Sequence, residues 1–240
     1  MRHVVIGAGE VGSAVIGLLR DGNSVSVIDK DPTKTVMADE FNHDVMHICI
    51  PYSRSFVEDV REYVDRMEPK RVLIWSSVPI GTTREVSPDA CHTLVEGKHP
   101  DILAYLQTMV RWIGGSNMHN LSYLCDLFTD LGLAVKPIGS SNFTEFLKLR
   151  STSKYGINLA WTDYEARTAE RLGMPFELVN EFDTEYNKLY RDAAQPQFQR
   201  YILTDPKGEI GGHCVVANAK LLNEQHPSEL LEMIIKMEKK

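Results

Sequence analysis

A glycine-rich loop directly after a short apolar run constrains this chain more than any other stretch of its sequence. Residues 2–6 read RHVVI, and the loop GAGEVG that follows carries Gly7, Gly9 and Gly12. An apolar, β-branched run that stops at glycine is typical of a buried strand, and the residues after the loop have helical apolar spacing. In this context the first glycine permits a tight turn, the second lets a phosphate approach the backbone, and the third lets helix and strand pack closely. The sequence therefore predicts that phosphates bind at the helix N-terminus that this loop precedes.

An acidic residue follows the loop at the spacing that a dinucleotide site uses. The run SVSVID ends at Asp29, about 20 residues beyond the loop, where an acid hydrogen-bonds a ribose hydroxyl. Its carboxylate would repel the 2′-phosphate of NADP, so NAD is the expected cofactor, and Lys30 is interpreted as a surface lysine. A glycine turn without a ligand is the alternative, which the combination of strand, loop, helix and acid disfavours. Cofactor contacts are therefore assigned to Gly7, Gly9, Glu10, Val11, Gly12 and Asp29.

The first part of the chain alternates strand-like and helix-like segments. Further strands are predicted at residues 24–29, 44–51, 71–77, 90–95 and 133–138. Helical apolar spacing is found at residues 53–67, 101–113 and 119–131. Strands that alternate with helices at this spacing predict crossover connections and a parallel sheet covered on both faces. The predicted fold class is therefore α/β, with a Rossmann-like, doubly wound parallel sheet.

From about residue 141 the pattern becomes helical. One helical pattern runs from residue 142 to 172 and is closed by Gly173, and another runs from 175 to 191. The run after Cys214 and the charged segment ELLEMIIKMEKK also predict helices. The sequence therefore predicts an NAD-binding domain over residues 1–140 and a mostly α-helical domain over residues 141–240 that carries Cys214.

Composition excludes several classes of protein. The net charge of −7 argues against a nucleic-acid binder, which normally presents a basic face. No apolar run approaches the ~20 residues that span a bilayer, and the N-terminus lacks the pattern of a signal peptide. The four cysteines are widely spaced and form no CxxC pair, so they are expected to stay reduced. We therefore expect a cytoplasmic protein that binds neither membrane nor nucleic acid.

Four later segments resemble motifs of the UDP-glucose/GDP-mannose dehydrogenase family. IGGHCV (residues 210–215) resembles the family's catalytic-cysteine motif, and HICIP (47–51) resembles its third-strand motif. SSVPIGTT (76–83) is similar to its S-T-V-P-x-G-T segment, and TEFLK (144–148) to the segment that opens its long central helix. The segments occur in the family's order, and the resemblance covers most of the chain. It implies an NAD-binding domain followed by a central helical domain.

The resemblance also implies a reaction. Members of the family oxidise the primary alcohol of a nucleotide sugar to a carboxylate by two hydride transfers to NAD. By resemblance, Cys214 captures the intermediate aldehyde as a thiohemiacetal, and Lys148 stabilises the developing oxyanion charge. Cys214 stands just before a predicted helix, a setting that favours the thiolate. The alternatives are an inert buried cysteine and a solvated surface lysine.

Further site residues are assigned by the same resemblance. Pro51 and Ser77 fall in the segments that approach the cofactor, and Ser77 stands where the family has a threonine near the reacting centre. Glu96 falls where the family has a glutamate four residues after its general base. These assignments complete a predicted catalytic set of Cys214, Lys148, His92 and Glu96.

The chain departs from the family pattern at chemically important positions. His92 stands where the family has its general-base glutamate, and a histidine can perform the same proton transfer. Thr152 replaces an asparagine four residues after Lys148. Asn218 replaces an aspartate four residues after Cys214, which removes a carboxylate. The family's Pro-Gly before the glycine pair reads Gly208-Glu209.

Two alternatives to a cysteine dehydrogenase remain open. One is an NAD-binding regulatory or degenerate module that performs no chemistry. The other is a zinc site built from the adjacent pairs Cys91-His92 and His213-Cys214, with His99 and His226 nearby in sequence. Zinc ligands are usually spaced by two or more residues, so we expect no metal site. His47 is interpreted as a hydrogen-bonded core or sheet-end histidine.

The resemblance finally suggests partners. Family members continue into a third domain that binds the nucleotide part of the substrate, and this chain stops about where that domain would begin. The substrate is therefore expected to be a sugar or nucleotide sugar that is smaller than usual, or a separate chain supplies the missing domain, or activity is lost. The family's long helix builds a dimer interface, so a homodimer through residues 142–172 is expected, although core packing would explain the same apolar stripe.

Overall fold

The computed structural model describes residues 1–37, 42–97 and 100–239. The chain divides into two compact units, Met1–Leu149 and Arg150–Lys240. The division falls inside a long helix, whereas the sequence pattern placed the boundary near residue 140, just before that helix.

Within the described residues of the first unit, seven strands form one sheet. Their order across the sheet is β2-β1-β3-β4-β5-β6-β7. The strands are β1 (Arg2–Ile6), β2 (Ser24–Ile28), β3 (Val45–Ile48), β4 (Val72–Ile74), β5 (Cys91–Thr93), β6 (Arg111–Gly115) and β7 (Val135–Ile138). The first five run parallel, β6 runs antiparallel to β5, and β7 runs parallel to β6. The predicted Rossmann-like sheet is confirmed, with its last two strands reversed.

Both faces of the sheet are covered, because successive side chains on a strand point to opposite faces. Val4 and Ile6 belong to one apolar cluster, and Val5 between them belongs to the other. The helices of the first unit are α1 (Glu10–Leu19), α2 (Phe56–Met67), α3 (Thr82–Val86), α4 (Ile102–Thr108) and α5 (Met118–Asp130). The cluster around Val5 includes residues of α1, α4 and α5, and the other includes residues of α2 and α3. Strands with apolar residues on both faces are what a two-sided sheet requires.

One predicted helix is wrong in its second half. Residues 101–113 have helical apolar spacing, but α4 ends at Thr108 and β6 begins at Arg111. Ile113 is a fully buried core residue, and its partner across the sheet is Thr93 of β5. Tertiary pairing therefore determines the structure of a short apolar run that is ambiguous by periodicity alone.

The long helix α6 (Ser141–Arg171) starts in the first unit and continues into the second. Gly173 ends it in a left-handed conformation (φ 68°), with a hydrogen bond from the Met174 N–H to the Ala169 carbonyl oxygen. The second unit also contains α7 (Glu177–Asp192), α8 (Val215–Gln225) and α9 (Glu229–Lys236). The helical region that the sequence predicts after the sheet is confirmed. In the described parts of the chain, no helix combines the length and the apolar character needed to cross a bilayer.

A chain of buried aromatic groups crosses the centre of the sheet. The Trp75 Nε1–H donates to His47 Nδ1 at 3.1 Å, and His47 Nε2 lies 3.0 Å from His3 Nδ1. Because the indole can only donate, His47 carries its proton on Nε2 and donates to His3. Both histidines are fully buried. Burial lowers the pKa of His3 to about 4 and holds the pKa of His47 well below its ordinary value, so the chain of hydrogen bonds depends on neutral imidazoles.

These histidines predict an acid-sensitive first unit. Between about pH 4 and 6.5 the unfolded chain binds protons that the folded unit excludes, so stability falls as the pH falls through that window. A histidine shifted as far as His3 costs about 2 kcal/mol at pH 5. Urea unfolding followed by Trp75 fluorescence, with Trp112 and Trp161 replaced by phenylalanine, measures this slope. We expect His47→Gln to flatten the slope and His226→Gln, at an exposed position, to leave it unchanged. An unaltered slope in His47→Gln would contradict the assignment.

Candidate functional site

The glycine loop lies at the carboxyl end of β1, beside the carboxyl end of β3. Gly7 has a φ of 95°, and its N–H donates to the Ile28 carbonyl oxygen at 2.7 Å. A Cβ at Gly7 would lie 2.9 Å from the Cys49 carbonyl oxygen, and a Cβ at Gly12 would lie 1.8 Å from the Gly7 carbonyl oxygen. Two of the three glycines are therefore required by the protein's own packing. The sheet order places this loop where the strand order reverses, the usual ligand position of an open α/β sheet.

Gly9 differs from its two neighbours. Its φ is −75°, which other residues adopt without strain. No heavy atom of the described residues lies within 4 Å of a Cβ built there. Gly9 is also the N-cap of α1, whose first N–H groups point out of the helix. Folding gives no reason for a glycine here, whereas a phosphate bound against the backbone does.

Asp29 stands at the end of β2 and is tied to the glycine loop. Its Oδ2 accepts the Ala8 N–H at 2.6 Å, and its Oδ1 accepts the Asp31 N–H at 2.9 Å. These two bonds hold the pKa of the Asp29 carboxyl below its ordinary value. Each carboxylate oxygen has a second lone pair, so the ionised group can still accept ribose hydroxyls. Of the remaining loop residues, Glu10 is exposed at the start of α1 and Val11 packs partly against the core.

The loops after β3 and β4 form the next part of the same edge. The buried Ser76 hydroxyl donates to the Ile50 carbonyl oxygen at 2.6 Å and so links the two loops. Pro51 follows as an exposed residue, and Ser77 is half-buried. Both predicted cofactor positions therefore lie at the carboxyl edge of the sheet, Pro51 beyond β3, which is adjacent to β1, and Ser77 beyond β4, the next strand across.

Lys148 lies within the first unit, two turns into α6, and is held against the loop after β5. Its Nζ donates to the Val95 carbonyl oxygen at 2.5 Å and lies 4.0 Å from Glu96 Oε1. The lysine side chain is 12% exposed and the glutamate side chain 26%. This ammonium is fixed rather than freely solvated, which contradicts the surface-lysine alternative. The structure brings the predicted pair Lys148 and Glu96 together.

His92 lies in β5 and is fully buried. Its Nε2 lies 3.3 Å from the Ser76 carbonyl oxygen, and its Nδ1 lies 2.9 Å from Thr144 Oγ1. Burial, together with the charge of Lys148, lowers the pKa of His92 to about 4. A general base needs a ring nitrogen that a substrate or water can reach, whereas both nitrogens here face protein groups. The geometry favours a positioning role, and the role as a base stays a prediction.

The TEFLK segment explains why the start of α6 is fixed to the sheet. Thr144 contacts His92 of β5, and Lys148 contacts the loop after β5. The buried Glu145 accepts the Gly81 N–H at 2.6 Å and the Thr83 N–H at 2.8 Å, at the N-terminus of α3. Burial raises the pKa of Glu145, and these hydrogen bonds oppose the rise. The sequence analysis missed Thr144 and Glu145, although a glutamate within an apolar helical start is a signal that the side chain has a fixed partner.

In the second unit, Cys214 is the N-cap of α8 and is exposed. The inert-buried-cysteine alternative is therefore wrong. Gly212 before it has a φ of 86°, a conformation that favours glycine. A Cβ at Gly156 of α6 would lie 2.8 Å from the Val215 side chain, so this glycine allows the start of α8 to pack closely on α6.

The two departures that follow Lys148 and Cys214 contact each other. The Asn218 Nδ2–H donates to Thr152 Oγ1 at 3.0 Å, and Asn218 is buried. A neutral amide and a hydroxyl thus form one pair within the second unit. The two substitutions are complementary, because the amide donates and the hydroxyl accepts.

The zinc alternative gains no support from the coordinates. Within residues 1–37, 42–97 and 100–239, no three His, Cys, Asp or Glu side chains form a group that could hold a metal ion. His99 of that hypothesis lies outside the described residues.

Fold and site together define a Rossmann-like dinucleotide-binding domain followed by a helical domain. Residues 3–50 match the sequence family described as the TrkA-N domain. That match, the glycine loop and Asp29 together support NAD as the cofactor. No curated protein matches the chain significantly.

Solved structures share this fold over nearly the whole chain. The UDP-D-ManNAc dehydrogenase from Pyrococcus horikoshii is 17% identical, with a TM-score of 0.83, over 99% of this chain and 68% of that one. The UDP-glucose dehydrogenase from Pyrobaculum islandicum is 15% identical, with a TM-score of 0.76, over 98% and 67%. The Mycobacterium tuberculosis 3-hydroxyisobutyrate dehydrogenase is 13% identical, with a TM-score of 0.70, over 97% and 90%. At these identities the likeness establishes the fold that the sequence resemblance implied.

The glycine loop yields a prediction that separates binding from folding. We expect Gly9→Ala to leave the free energy of unfolding within about 1 kcal/mol, because its Cβ meets no protein atom, and to weaken NADH binding at least ~10-fold by blocking phosphate approach. We expect Gly12→Ala to destabilise the first unit by at least ~2 kcal/mol, because the Cβ collides with a backbone oxygen. Thermal unfolding and fluorescence titration with NADH measure both effects. Unchanged NADH affinity in Gly9→Ala would refute a phosphate site at this loop.

Proposed function

We propose that this chain is an NAD-dependent dehydrogenase that oxidises an alcohol carbon of a sugar-like substrate. The observation that carries the proposal is Lys148, a fixed ammonium at the same sheet edge as the glycine loop. An ordered cation beside a nicotinamide-binding edge is suited to stabilising charge on a reacting oxygen. The oxidoreductase fold of the solved structures supports the same reaction class.

The first oxidation uses residues of the first unit. NAD, which the glycine loop and Asp29 would hold, would supply the acceptor for the hydride of the alcohol carbon. Lys148 donates a hydrogen bond to the alcohol oxygen as its proton leaves to water, and so stabilises the developing alkoxide. Glu96 and the Val95 carbonyl orient the ammonium, and His92 positions the Thr144 side chain at the start of the same helix. The product is an aldehyde, one reduced cofactor and one proton.

The second oxidation is assigned to Cys214. The thiolate adds to the aldehyde carbon and gives a thiohemiacetal. A second NAD at the same glycine loop would supply the acceptor for the hydride of that carbon, which would leave a thioester on Cys214; water would then hydrolyse the thioester to a carboxylate and the free thiol. The exposed position of Cys214 at the N-terminus of α8 supports this role, since a nucleophile must be accessible to its substrate.

A module that binds NAD without turnover is the second candidate. The Thr152–Asn218 pair supports it, because the chain has no carboxylate at the position where the family resemblance expects one. The substrate class also stays open. A small hydroxy acid is included, because the 3-hydroxyisobutyrate dehydrogenase structure shares the fold.

We also propose a homodimer and a cytoplasmic location. Large aromatic residues are exposed on α6, among them Tyr155, Trp161 and Tyr164, and the last two rings contact each other. Exposed aromatic stripes on a long helix are suited to a second copy of the chain. All four cysteines lie in the described residues and are unpaired, as a reducing compartment requires. A separate chain that supplies a nucleotide-binding domain remains a further proposal.

Asp29 predicts the choice of cofactor. We expect NADH to bind more tightly than NADPH, because the Asp29 carboxylate repels a 2′-phosphate. Asp29→Asn keeps an acceptor for the Ala8 N–H but removes the charge, and we expect it to narrow this discrimination about 10-fold. Asp31→Asn removes a charge two residues away and is the matched control. Calorimetric titration with both cofactors measures the difference, and tighter binding of NADPH to the unaltered protein would overturn the assignment.

A substrate screen with two variants tests the reaction. Nucleotide sugars, sugar phosphates and small hydroxy acids are assayed for NADH production and for aldehyde and acid products. We expect Lys148→Met to lower the rate of the first oxidation ~10²–10³-fold, because it removes the oxyanion donor. We expect Cys214→Ala to abolish acid formation while the first oxidation continues, because the thioester cannot form.

Two controls accompany the screen. Lys154→Met removes an exposed lysine of the same helix and should leave the rates unchanged. NADH affinity should be the same in all variants, because the cofactor contacts are assigned to the glycine loop and Asp29. Acid formation that survives Cys214→Ala would exclude the covalent mechanism. NADH binding without turnover of any compound would favour the non-catalytic module.

A further inference from the structure

Hydrogen bonds hold the first half of the loop that carries Cys214. Asp205 Oδ1 accepts the Lys207 N–H at 2.8 Å, and the Glu209 N–H donates to the Pro206 carbonyl oxygen at 3.2 Å. Lys207 and Gly208 both have positive φ, at 60° and 79°. Consecutive left-handed residues define a tight turn. We call residues 205–214 the cysteine loop.

A buried carboxylate of α6 holds this half of the loop. Asp163 is 3% exposed, and its Oδ1 accepts the Gly208 N–H at 2.7 Å. Its Oδ2 forms an ion pair with the Arg167 guanidinium at 2.8 Å. Hydrogen bonds from N–H groups to a carboxylate are short and about twice as strong as neutral ones. This hydrogen bond therefore holds Gly208 against α6.

The cysteine loop is also held at Ile210, by the segment Met237–Lys239. We call this segment the C-terminal strap. The Ile210 N–H donates to the Met237 carbonyl oxygen at 2.6 Å, and the Lys239 N–H donates to the Ile210 carbonyl oxygen at 3.2 Å. Ile210 is 3% exposed and forms a parallel bridge with Glu238. The Glu238 carboxylate is in turn held by Lys220 Nζ at 2.7 and 2.8 Å. The strap therefore fixes the last buried residue before the glycine pair.

Beyond Ile210 the cysteine loop is bare. Gly211, Gly212 and His213 are exposed. No heavy atom of the described residues lies within 4 Å of a Cβ built at Gly212. Between the pinned Ile210 and the start of α8, the backbone thus has few contacts of its own. The position of the Cys214 thiol therefore depends on the contacts that hold Ile210 before the glycine pair and the start of α8 after it.

We propose that Asp163 and the C-terminal strap are positioning elements for the Cys214 thiol. The hydrogen bonds at Gly208 and Ile210 restrict the backbone positions of Gly211 and Gly212, and so the positions that Cys214 can reach. The packing of α8 at Gly156 restricts Cys214 from its C-terminal side. The consequence for catalysis rests on the proposed function, because a displaced thiol lowers the rate of the second oxidation. The positioning itself needs no substrate.

A nitroxide spin label on Cys214 tests the positioning directly. The label is attached in a Cys49→Ser/Cys125→Ser background, because these two cysteines are half-buried whereas Cys91 is buried. We expect Lys239→Pro, which deletes the N–H donated to Ile210, to sharpen the spectrum by increasing label mobility. Lys239→Ala keeps that N–H and loses only the ion pair with Glu209, so its spectrum should match that of the unaltered protein.

A second set of variants tests the hydrogen bond between Asp163 and the Gly208 N–H. We expect Asp163→Ala to raise label mobility, and we expect Asp163→Asn to retain the original spectrum because its amide oxygen still accepts the Gly208 N–H. Arg167→Ala removes the ion pair and the Nε–H hydrogen bond to the Asp163 carbonyl oxygen but leaves Asp163 Oδ1 in place, so it should also retain the original spectrum. If Asp163→Ala fails to fold, Lys239→Pro, at an exposed position, tests the positioning of the Cys214 thiol instead. Unchanged label mobility in Lys239→Pro would overturn the proposal.

Catalytic rates provide the second readout, one that a merely structural role would not change. In Lys239→Pro we expect acid formation to slow by up to ~10²-fold, the effect of misplacing a reacting group by about 1 Å. Aldehyde formation and NADH affinity should be unchanged. If no compound is turned over, the proposed function fails while the spin-label comparison still decides the positioning. If acid formation is normal in a variant with a mobile label, the positioning has no catalytic role.

Discussion

The start of α6 is the contact on which the candidate site depends. Within two helical turns, three side chains reach three different parts of the sheet edge. Thr144 contacts His92 in β5, Glu145 binds the backbone N–H groups at the start of α3, and Lys148 binds the Val95 carbonyl oxygen. Each bond is short and largely or fully buried, so none is easily replaced by water. These three contacts hold the start of α6 against the sheet, and they therefore fix the Lys148 ammonium beside Glu96.

Protonation states follow from the same burial. Burial lowers the pKa values of His3, His47 and His92, so these three side chains stay neutral. Ionised groups occur where backbone N–H groups or an edge position solvate them, as with Asp29 beside the glycine loop. Glu145 is the intermediate case, because burial raises its pKa while two backbone donors oppose the rise. The ionised groups Asp29 and Lys148 of the candidate site therefore lie at the edge of the sheet, where hydrogen-bonding groups of the backbone contact them.

Sequence reasoning predicted the parts of the molecule that local patterns determine. The glycine loop, the strand that ends at Asp29 and the long helix closed by Gly173 all follow from spacing and backbone geometry. β6 was missed, because RWIGG is a short apolar run whose pairing with β5 is set by tertiary structure. Thr144 and Glu145 were missed for a related reason, since their partners lie far away in sequence. The accessibility of His92 likewise cannot be read from its neighbours, because burial is a property of the assembled sheet.

The Thr152–Asn218 pair bears on how far oxidation proceeds. An amide and a hydroxyl can orient a water molecule, but neither accepts a proton near neutral pH. His92, the other predicted proton acceptor, is buried with both nitrogens facing protein groups. In the proposed reaction, hydride transfer to NAD needs no carboxylate at Asn218, because Lys148 is assigned to the alkoxide. Thioester hydrolysis does need an activated water. We therefore expect the substitutions to affect the last step of the proposed reaction, the release of the acid, more than the earlier steps.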